Sequence, residues 1–168
     1  LVISGSKYAV AKSLNPFRQG PTKEEQHKVY KQDYELSSYI NQGTDETSYW
    51  VESIFFQKSK QGVDSSILEL GCNVGRHLNA FHKRGYDDLT GVDINKEVFD
   101  EMEELYPKLA TDLNFHQGSF ESVLPETNQT FGCVYSVAAL MHVSDESSFI
   151  FDEIAKSCND MLITIRRK

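Results

Sequence analysis

The sequence predicts an α/β protein built on a doubly wound, mostly parallel sheet with helices on both faces. Short apolar segments alternate with helical segments from residue 66 to residue 165, and parallel neighbouring strands need such crossover connections. A glycine-containing turn follows the first apolar segment, at the sheet edge where open α/β folds bind ligands. The chain of 168 residues is long enough for one domain with its own core.

Residues 1–44 are predicted to be an N-terminal arm and a helix, and residues 45–168 a single folded domain. Glycine, proline and polar residues are scattered through residues 1–20 and indicate a loosely ordered segment. Thr22 and Glu25 have the capping-box spacing that begins a helix. A second helix follows, with these apolar residues at helical spacing: Trp50, Val51, Ile54 and Phe55.

Apolar runs and the turn residues between them place the elements of the domain. Strands are predicted at Ser66–Leu70, Leu89–Ile94, Asn114–Gln117, Phe131–Val137 and Met161–Ile165. Helices are predicted at Arg76–Arg84, Lys96–Tyr106 and Asp145–Cys158. Gly85 ends the first of these helices and Pro107 ends the second. Each helix lies between two strands, as crossover connections require.

Composition limits the partners and the compartment. The net charge of -8 provides no broad positive field for a phosphate backbone, which disfavours a nucleic-acid partner. No apolar run approaches the ~20 residues of a membrane span, and the start of the chain has no secretory signal pattern. The three cysteines include no CxxC pair, so we predict neither a disulfide framework nor a metal site. A cytoplasmic location fits these features.

The segment Glu69-Leu70-Gly71-Cys72-Asn73-Val74-Gly75 lies where the first strand meets the first helix. Glycine lets the backbone turn sharply and approach a ligand closely. A dinucleotide-binding loop needs glycine at its first, third and sixth positions. Counting from Gly71, the third position is Asn73 and the sixth is Arg76, so the pattern of a dinucleotide-binding loop is not met. The carboxylate of Glu69 suits a ligand with a positive charge and would repel a pyrophosphate.

Asp93 stands at the end of the second predicted strand. A carboxylate at this position can accept hydrogen bonds from both hydroxyls of a ribose. It can also cap the helix that begins near Asn95, and the two roles are compatible. Together with the loop after Glu69, it predicts a nucleoside-containing, positively charged ligand.

These segments resemble a known family. LELGCNVGRHL and LTGVDIN are similar to motifs I and II of the class I S-adenosylmethionine-dependent methyltransferases, and QGSF and FGCVYSVAALMHV resemble the family's third and fourth strand ends. The resemblance covers roughly residues 46–168. It implies a Rossmann-like fold, S-adenosyl-L-methionine as the cofactor and S-adenosyl-L-homocysteine as the product.

The resemblance also implies where the methionine part of the cofactor would lie. Gly71, Cys72 and Gly75 would line it, with Glu69 near its amino group. Asn73 stands where the family usually has a second glycine, and asparagine is the non-glycine residue that best tolerates a left-handed backbone. Cys72 has a second interpretation, as a small buried apolar side chain.

Three further strand ends would hold the rest of the cofactor. Asp93 would bind the ribose and Ile94 would flank the adenine, with Ser119–Phe120 at the adenine edge. Ser136–Val137 would form the floor under the sulfonium. The family's sheet usually has two more strands, which do not follow Met161–Ile165 in this sequence. We therefore predict an open sheet edge, with two alternatives: the sequence is truncated there, or an oligomer contact such as a homodimer shields the edge.

His142 follows the fourth strand, where substrates usually lie in this family. It is a candidate general base, and its alternative is a loop histidine with structural hydrogen bonds. The aromatic residues Tyr49, Trp50, Phe55 and Phe56 are candidates for a lid over the cofactor or for core packing.

The acceptor is predicted from what the chain lacks. Amino-methylating DNA enzymes carry an Asn/Asp-Pro-Pro-aromatic loop, but Ser136-Val137-Ala138-Ala139 stands there. Cytosine-C5 enzymes use a Pro-Cys pair, and the sequence has none. A small molecule, such as a sugar or another metabolite, is therefore the predicted acceptor. Two alternatives are a non-catalytic or truncated cofactor-binding domain and an enzyme that uses the same cofactor for other chemistry.

Overall fold

A computed structural model describes residues 62–165 without a gap and, before them, residues 2–4, 22–24, 51, 53–55 and 57. The described residues form a six-stranded sheet in the order β1-β6-β5-β2-β3-β4. The strands are β1 (Val2–Ser4), β2 (Ile67–Leu70), β3 (Leu89–Asp93), β4 (Asn114–Gln117), β5 (Phe131–Val137) and β6 (Cys158–Ile165). Strands β2 to β6 run parallel to one another, and β1 is antiparallel to β6. The predicted α/β architecture is confirmed.

Helices cover both faces of this sheet. Within residues 62–165 the α-helices are α1 (Arg76–Lys83), α2 (Glu97–Leu105), α3 (Pro107–Asp112), α4 (Phe120–Val123) and α5 (Ile150–Ser157). Apolar side chains of α1, α2 and α3 pack on one face, in a cluster that includes Leu78, Met102 and Leu109. Phe120 and Val123 of α4 and Ile150 and Ile154 of α5 pack on the other face. None of the helices in the described part of the chain is long and apolar enough to cross a membrane.

The strand order reverses between β2 and β5, which are hydrogen-bonded neighbours. From β2 the chain proceeds outward through β3 to β4, and it then returns to β5 and β6 on the other side. Diverging crossovers at such a switch point leave a crevice beside the carboxyl ends of the two strands. The loop after Leu70 and the turn after Val137 border this crevice.

The N-terminal prediction is wrong for residues 2–4. Val2–Ser4, predicted as part of a loose arm, forms β1 and pairs with Met161, Leu162 and Ile163 of β6. The edge of β6 that was predicted to be open is therefore occupied along these residues. Backbone pairing explains the difference, because an exposed strand edge presents unpaired donors and acceptors that an added strand satisfies.

Several element boundaries also differ. Cys158 begins β6 instead of ending a helix, and the predicted helix at Asp145–Cys158 divides into a 3₁₀ turn at Asp145–Ser147 and α5. Helices α3 and α4 were not predicted. Lys23 and Glu24 are helical, as are residues 51, 53–55 and 57, which agrees with the two predicted N-terminal helices. The rest of those helices lies outside the described residues.

Candidate functional site

The loop between β2 and α1 is held against the end of β3. The backbone amides of Gly71 and Cys72 both donate to the carbonyl of Val92, at 2.8 and 3.1 Å. Gly71 and Gly75 have φ angles of 78° and 75°, a left-handed region that glycine adopts without steric cost. Asn73 has φ 50°, so the predicted left-handed asparagine is confirmed. Its side-chain oxygen accepts from the amide of Val74 at 2.6 Å.

Asp93 joins this loop to the start of α2. One carboxylate oxygen accepts from the amide of Asn73 at 2.8 Å, and the other accepts from the amide of Asn95 at 2.9 Å. Burial raises the pKa of Asp93, and the amides of Asn95 and Asn73 counteract part of that rise. Asn95 in turn accepts from the amide of Glu97 at 3.0 Å. Asp93 thus organises two backbone segments, while Asn95 provides the cap of the helix.

The turn after β5 packs directly onto Gly71. A Cβ placed on Gly71 would lie 2.5 Å from the Cβ of Ala139 and 3.8 Å from Cζ of Phe120. Ala138 itself has φ 59°, and its amide donates to the carbonyl of Ile165 at 2.7 Å. A left-handed alanine stores strain, and such strain is common where a turn has to fit a functional site. The turn therefore brings Ala139 to the floor of the crevice, where Phe120 of α4 also lies near Gly71.

Glu69 lies beneath the loop and has no exposed surface. The hydroxyl of Tyr135 donates to its Oε2 at 2.9 Å, and Oε1 has no hydrogen-bond partner among the described residues. Burial raises the pKa of Glu69 well above its usual range, while the hydrogen bond from Tyr135, the charge of Arg76 and the backbone amide of Leu78 lower it. The thiol of Cys72 is also buried, and burial raises its pKa. A protonated buried thiol is a poor nucleophile, which agrees with the apolar interpretation of Cys72.

Other predicted residues take structural or peripheral positions. Ser136 is 1% exposed, and its hydroxyl donates to the carbonyl of Leu70 at 2.9 Å and accepts from the amide of Leu140 at 3.3 Å. Ser119 precedes α4 and donates to the hydroxyl of Ser122 at 3.3 Å. Ile94 and Val137 are half-buried.

His142 ends the 3₁₀ turn Leu140–His142 and is exposed. Its backbone amide donates to the carbonyl of Ala139 at 3.0 Å, so this short turn connects the imidazole to the residue that covers Gly71. Burial of part of the ring lowers the pKa of His142, and the backbone of Ala138 acts in the opposite direction. The imidazole is therefore neutral at pH 7 and able to accept a proton.

Of the four aromatic residues proposed as a lid or as core, only Phe55 has a described side chain. Phe55 is fully buried and packs against Phe81 and Tyr86, with ring centroids 6.1 and 6.0 Å apart. This contact favours core packing for Phe55. Tyr49, Trp50 and Phe56 lie outside the described side chains.

The sequence interpretation missed three residues that shape the site: Tyr135, Ala139 and Asn95. The register between β2 and β5 places Tyr135 opposite Glu69, and sequence spacing carries no signal for such a pairing. The small residues Ala138-Ala139 after an apolar strand were a usable signal of close packing. Asn95 lies two residues before Glu97, the first residue of α2, and an asparagine at this spacing can cap the start of a helix.

The comparisons with known proteins agree with this geometry. The sequence matches the family described as "Methyltransferase domain" over residues 67–160, which is more than half of the chain. No curated protein sequence matches it. The matched segment extends from β2 to the first residues of β6 and contains the whole crevice.

Solved structures share the fold. Magnesium protoporphyrin IX methyltransferase from Synechocystis PCC 6803, with bound S-adenosylhomocysteine, has a TM-score of 0.63 at 13% identity, over 82% of this chain and 68% of that one. The cyclase SpnF has a TM-score of 0.63 at 12% identity, over 83% of this chain and 57% of that one. The glycopeptide N-methyltransferase MtfA, in complex with S-adenosylmethionine, has a TM-score of 0.54 at 13% identity, over 67% of this chain and 50% of that one.

This chain spans only 43–50% of the length of three of the methyltransferase structures that it matches. The described sheet nevertheless contains the parallel strands, the switch point and the glycine loop on which the match depends. The chain belongs to the methyltransferase-domain family.

Proposed function

We propose that this chain binds S-adenosyl-L-methionine and transfers its methyl group to a small-molecule acceptor, such as a sugar or another metabolite. The observation that carries the proposal is the junction at Asp93, where one carboxylate holds both the loop after β2 and the start of α2. The family match over residues 67–160 supports it. The net charge of -8 supports a small-molecule acceptor over a nucleic acid.

The residues of the crevice fit such a cofactor. Each carboxylate oxygen of Asp93 accepts one backbone amide, and each has remaining lone-pair capacity for a ribose hydroxyl. The left-handed Gly71 has no side chain between its backbone and the crevice. Glu69 adds a buried carboxyl, one oxygen of which has no hydrogen-bond partner within the described part of the chain, and a nearby cation would stabilise its ionised form. Cys72, Asn73, Gly75, Ile94, Ser119, Phe120, Ser136 and Val137 complete the proposed binding set.

When bound, this cofactor supplies a methyl group already activated by a sulfonium. The chain's own residues then have to bind, orient and exclude water, because transfer needs an in-line approach of the acceptor. Asp93 and the Gly71 loop would fix the nucleoside and methionine parts. Ala139 and Phe120, packed close to Gly71, would close the floor of the crevice against water.

Isothermal titration calorimetry of the chain with S-adenosylmethionine and S-adenosylhomocysteine tests the proposal. We expect micromolar affinity, or about 8 kcal/mol of binding free energy. A panel of small-molecule acceptors, followed for S-adenosylhomocysteine formation, then tests methyl transfer. Absence of binding to both ligands would refute the cofactor site.

The same assay addresses the alternative chemistry. The similarity to the cyclase SpnF shows that this fold also occurs in a protein named for a different reaction, since fold alone does not set function. Methylthioadenosine as the product would indicate aminopropyl transfer or cofactor cleavage. Cofactor binding without turnover on any acceptor would favour a non-catalytic binding domain.

We propose His142 as the general base for acceptors that need deprotonation. His142→Gln removes the titrating group but keeps a polar side chain, and we expect kcat to fall about 10²- to 10⁴-fold with unchanged cofactor affinity. Because the pKa of His142 is lowered, wild-type kcat should be constant above pH 7 and fall only at more acid pH. Equal kcat in His142→Gln and the wild type would show that the acceptor needs no base from this residue.

A further inference from the structure

Glu69 and Tyr135 form a buried polar pair inside an apolar layer. They lie opposite each other in the register of β2 and β5, and neither has any exposed surface. The Tyr135 hydroxyl donates to Oε2 of Glu69 at 2.9 Å, whereas Oε1 has no partner among the described residues. A buried oxygen without a partner costs free energy, so this arrangement calls for a compensating function.

Burial has the largest influence on the charge of Glu69 and favours the neutral carboxyl. Burial raises the pKa of Glu69, and the hydrogen bond from Tyr135 is the largest influence in the opposite direction. Arg76, the first residue of α1, also favours the ionised carboxylate, while Asp93 at the end of β3 disfavours it. The neighbouring Cys72 thiol responds to the same carboxyl. An additional positive charge near the loop would therefore favour ionisation of Glu69.

We propose that Tyr135 is a positioning residue for cofactor binding. Its hydroxyl holds Glu69 in place beneath the Gly71–Gly75 loop, and the Glu69 carboxyl ionises when a cationic amino group binds there. The step breaks the O–H bond of the Glu69 carboxyl and releases one proton to solvent, with no other bond changed. This inference rests on the proposed cofactor and adds to it a proton linkage and a residue outside the loop.

The linkage has a definite sign. A ligand that favours ionised Glu69 binds more tightly as pH rises, until the carboxyl is already ionised in the free protein. Tyr135→Phe keeps the aromatic ring, which lies 5.6 Å from the ring of Phe81, and removes only the hydroxyl. Because the ionised carboxyl then loses its donor, we expect affinity for S-adenosylhomocysteine to fall about tenfold near pH 7.

A double-mutant cycle separates this role from simple packing. The affinity for S-adenosylhomocysteine is measured by calorimetry in the wild type, Tyr135→Phe, Glu69→Gln and the double variant. If Tyr135 acts through Glu69, Tyr135→Phe has no further effect once residue 69 is glutamine. An equal loss in both backgrounds would mean that Tyr135 only supports the fold, and would overturn the proposal.

Proton release provides the second readout. Titrations in two buffers with different ionisation enthalpies should show release approaching one proton per ligand in the wild type at a pH between the pKa of Glu69 in the complex and its raised pKa in the free protein, and none in Glu69→Gln. Methylthioadenosine, which lacks the amino-acid part, is the matched ligand and should bind without this release. Because methylthioadenosine keeps the nucleoside, both ligands share any proton exchange at Asp93, and the difference between them isolates the contribution of Glu69.

The outcomes distinguish the inference from the proposed function. If neither ligand binds the wild type, the cofactor proposal fails. If both bind, and Glu69→Gln releases as many protons as the wild type, only the role of Tyr135 and Glu69 fails. Thermal unfolding of each variant checks that it is folded. Should Tyr135→Phe not fold, the comparison of Glu69→Gln with the wild type decides the proton linkage.

Discussion

Replacing Gly71 with alanine is expected to destabilise the protein by about 3 kcal/mol and to abolish cofactor binding. Gly71 has φ 78°, which costs an alanine about 1 kcal/mol. The new Cβ would also lie 2.5 Å from the Cβ of Ala139, closer than van der Waals contact allows. One backbone segment has to move, and such overpacking typically costs about 1–3 kcal/mol. Urea denaturation and calorimetric titration with S-adenosylhomocysteine measure the two effects.

Gly85 provides a matched control for the clash. Its φ is 91°, but apart from Gly85 and its two chain neighbours no atom of the described residues lies within 4 Å of the position of its Cβ. Gly85→Ala should therefore lose only the conformational part, about 1 kcal/mol, and should bind the cofactor normally. Adding Ala139→Gly to Gly71→Ala removes the opposing methyl and should restore about half of the lost stability. Equal losses in Gly71→Ala and Gly85→Ala would contradict the close packing of the two turns.

The elements that were predicted well are those whose signal is local. Phe131–Val137 and Asn114–Gln117 have the predicted bounds, because runs this short between turn residues have the length of a strand and are too short for a typical helix. The left-handed backbone at Asn73 was likewise predictable, since only a few residue types tolerate it. Asp93 at the end of β3 follows from the same strand prediction.

The features that were missed depend on contacts distant in sequence. The pairing of Val2–Ser4 with β6 follows from an unsatisfied sheet edge, which no short segment reveals. Cys158 extends β6 because its neighbour β5 offers a partner at Phe131, and tertiary pairing here outweighs helical periodicity. The hydrogen bond between Tyr135 and Glu69 depends on the register of two strands. The register between paired strands is set by contacts distant in sequence, and it therefore limits how much of the site can be predicted from the sequence.

Asp93→Ala should greatly weaken cofactor binding. It removes both carboxylate oxygens, so the partly buried amides of Asn73 and Asn95 lose their acceptors, at about 1 kcal/mol each. It also removes the two acceptors proposed for the ribose. We expect cofactor affinity to fall at least about 100-fold, because both the order of the loop and the direct contacts are lost. Calorimetry measures the affinity, and urea denaturation measures the change in stability.

Asn95→Ala separates the structural part of this effect from the binding part. The Asn95 side chain caps the amide of Glu97 at 3.0 Å, so its loss should cost about 1 kcal/mol of stability at the same helix start. The carboxylate of Asp93 remains in this variant, so cofactor affinity should stay within about threefold of the wild type. If Asn95→Ala and Asp93→Ala weaken binding equally, Asp93 acts only by ordering the backbone. If only Asp93→Ala loses binding, the start of α2 is not the cause, and the loss belongs to the carboxylate, through its bond to the Asn73 amide and its contacts with the ligand.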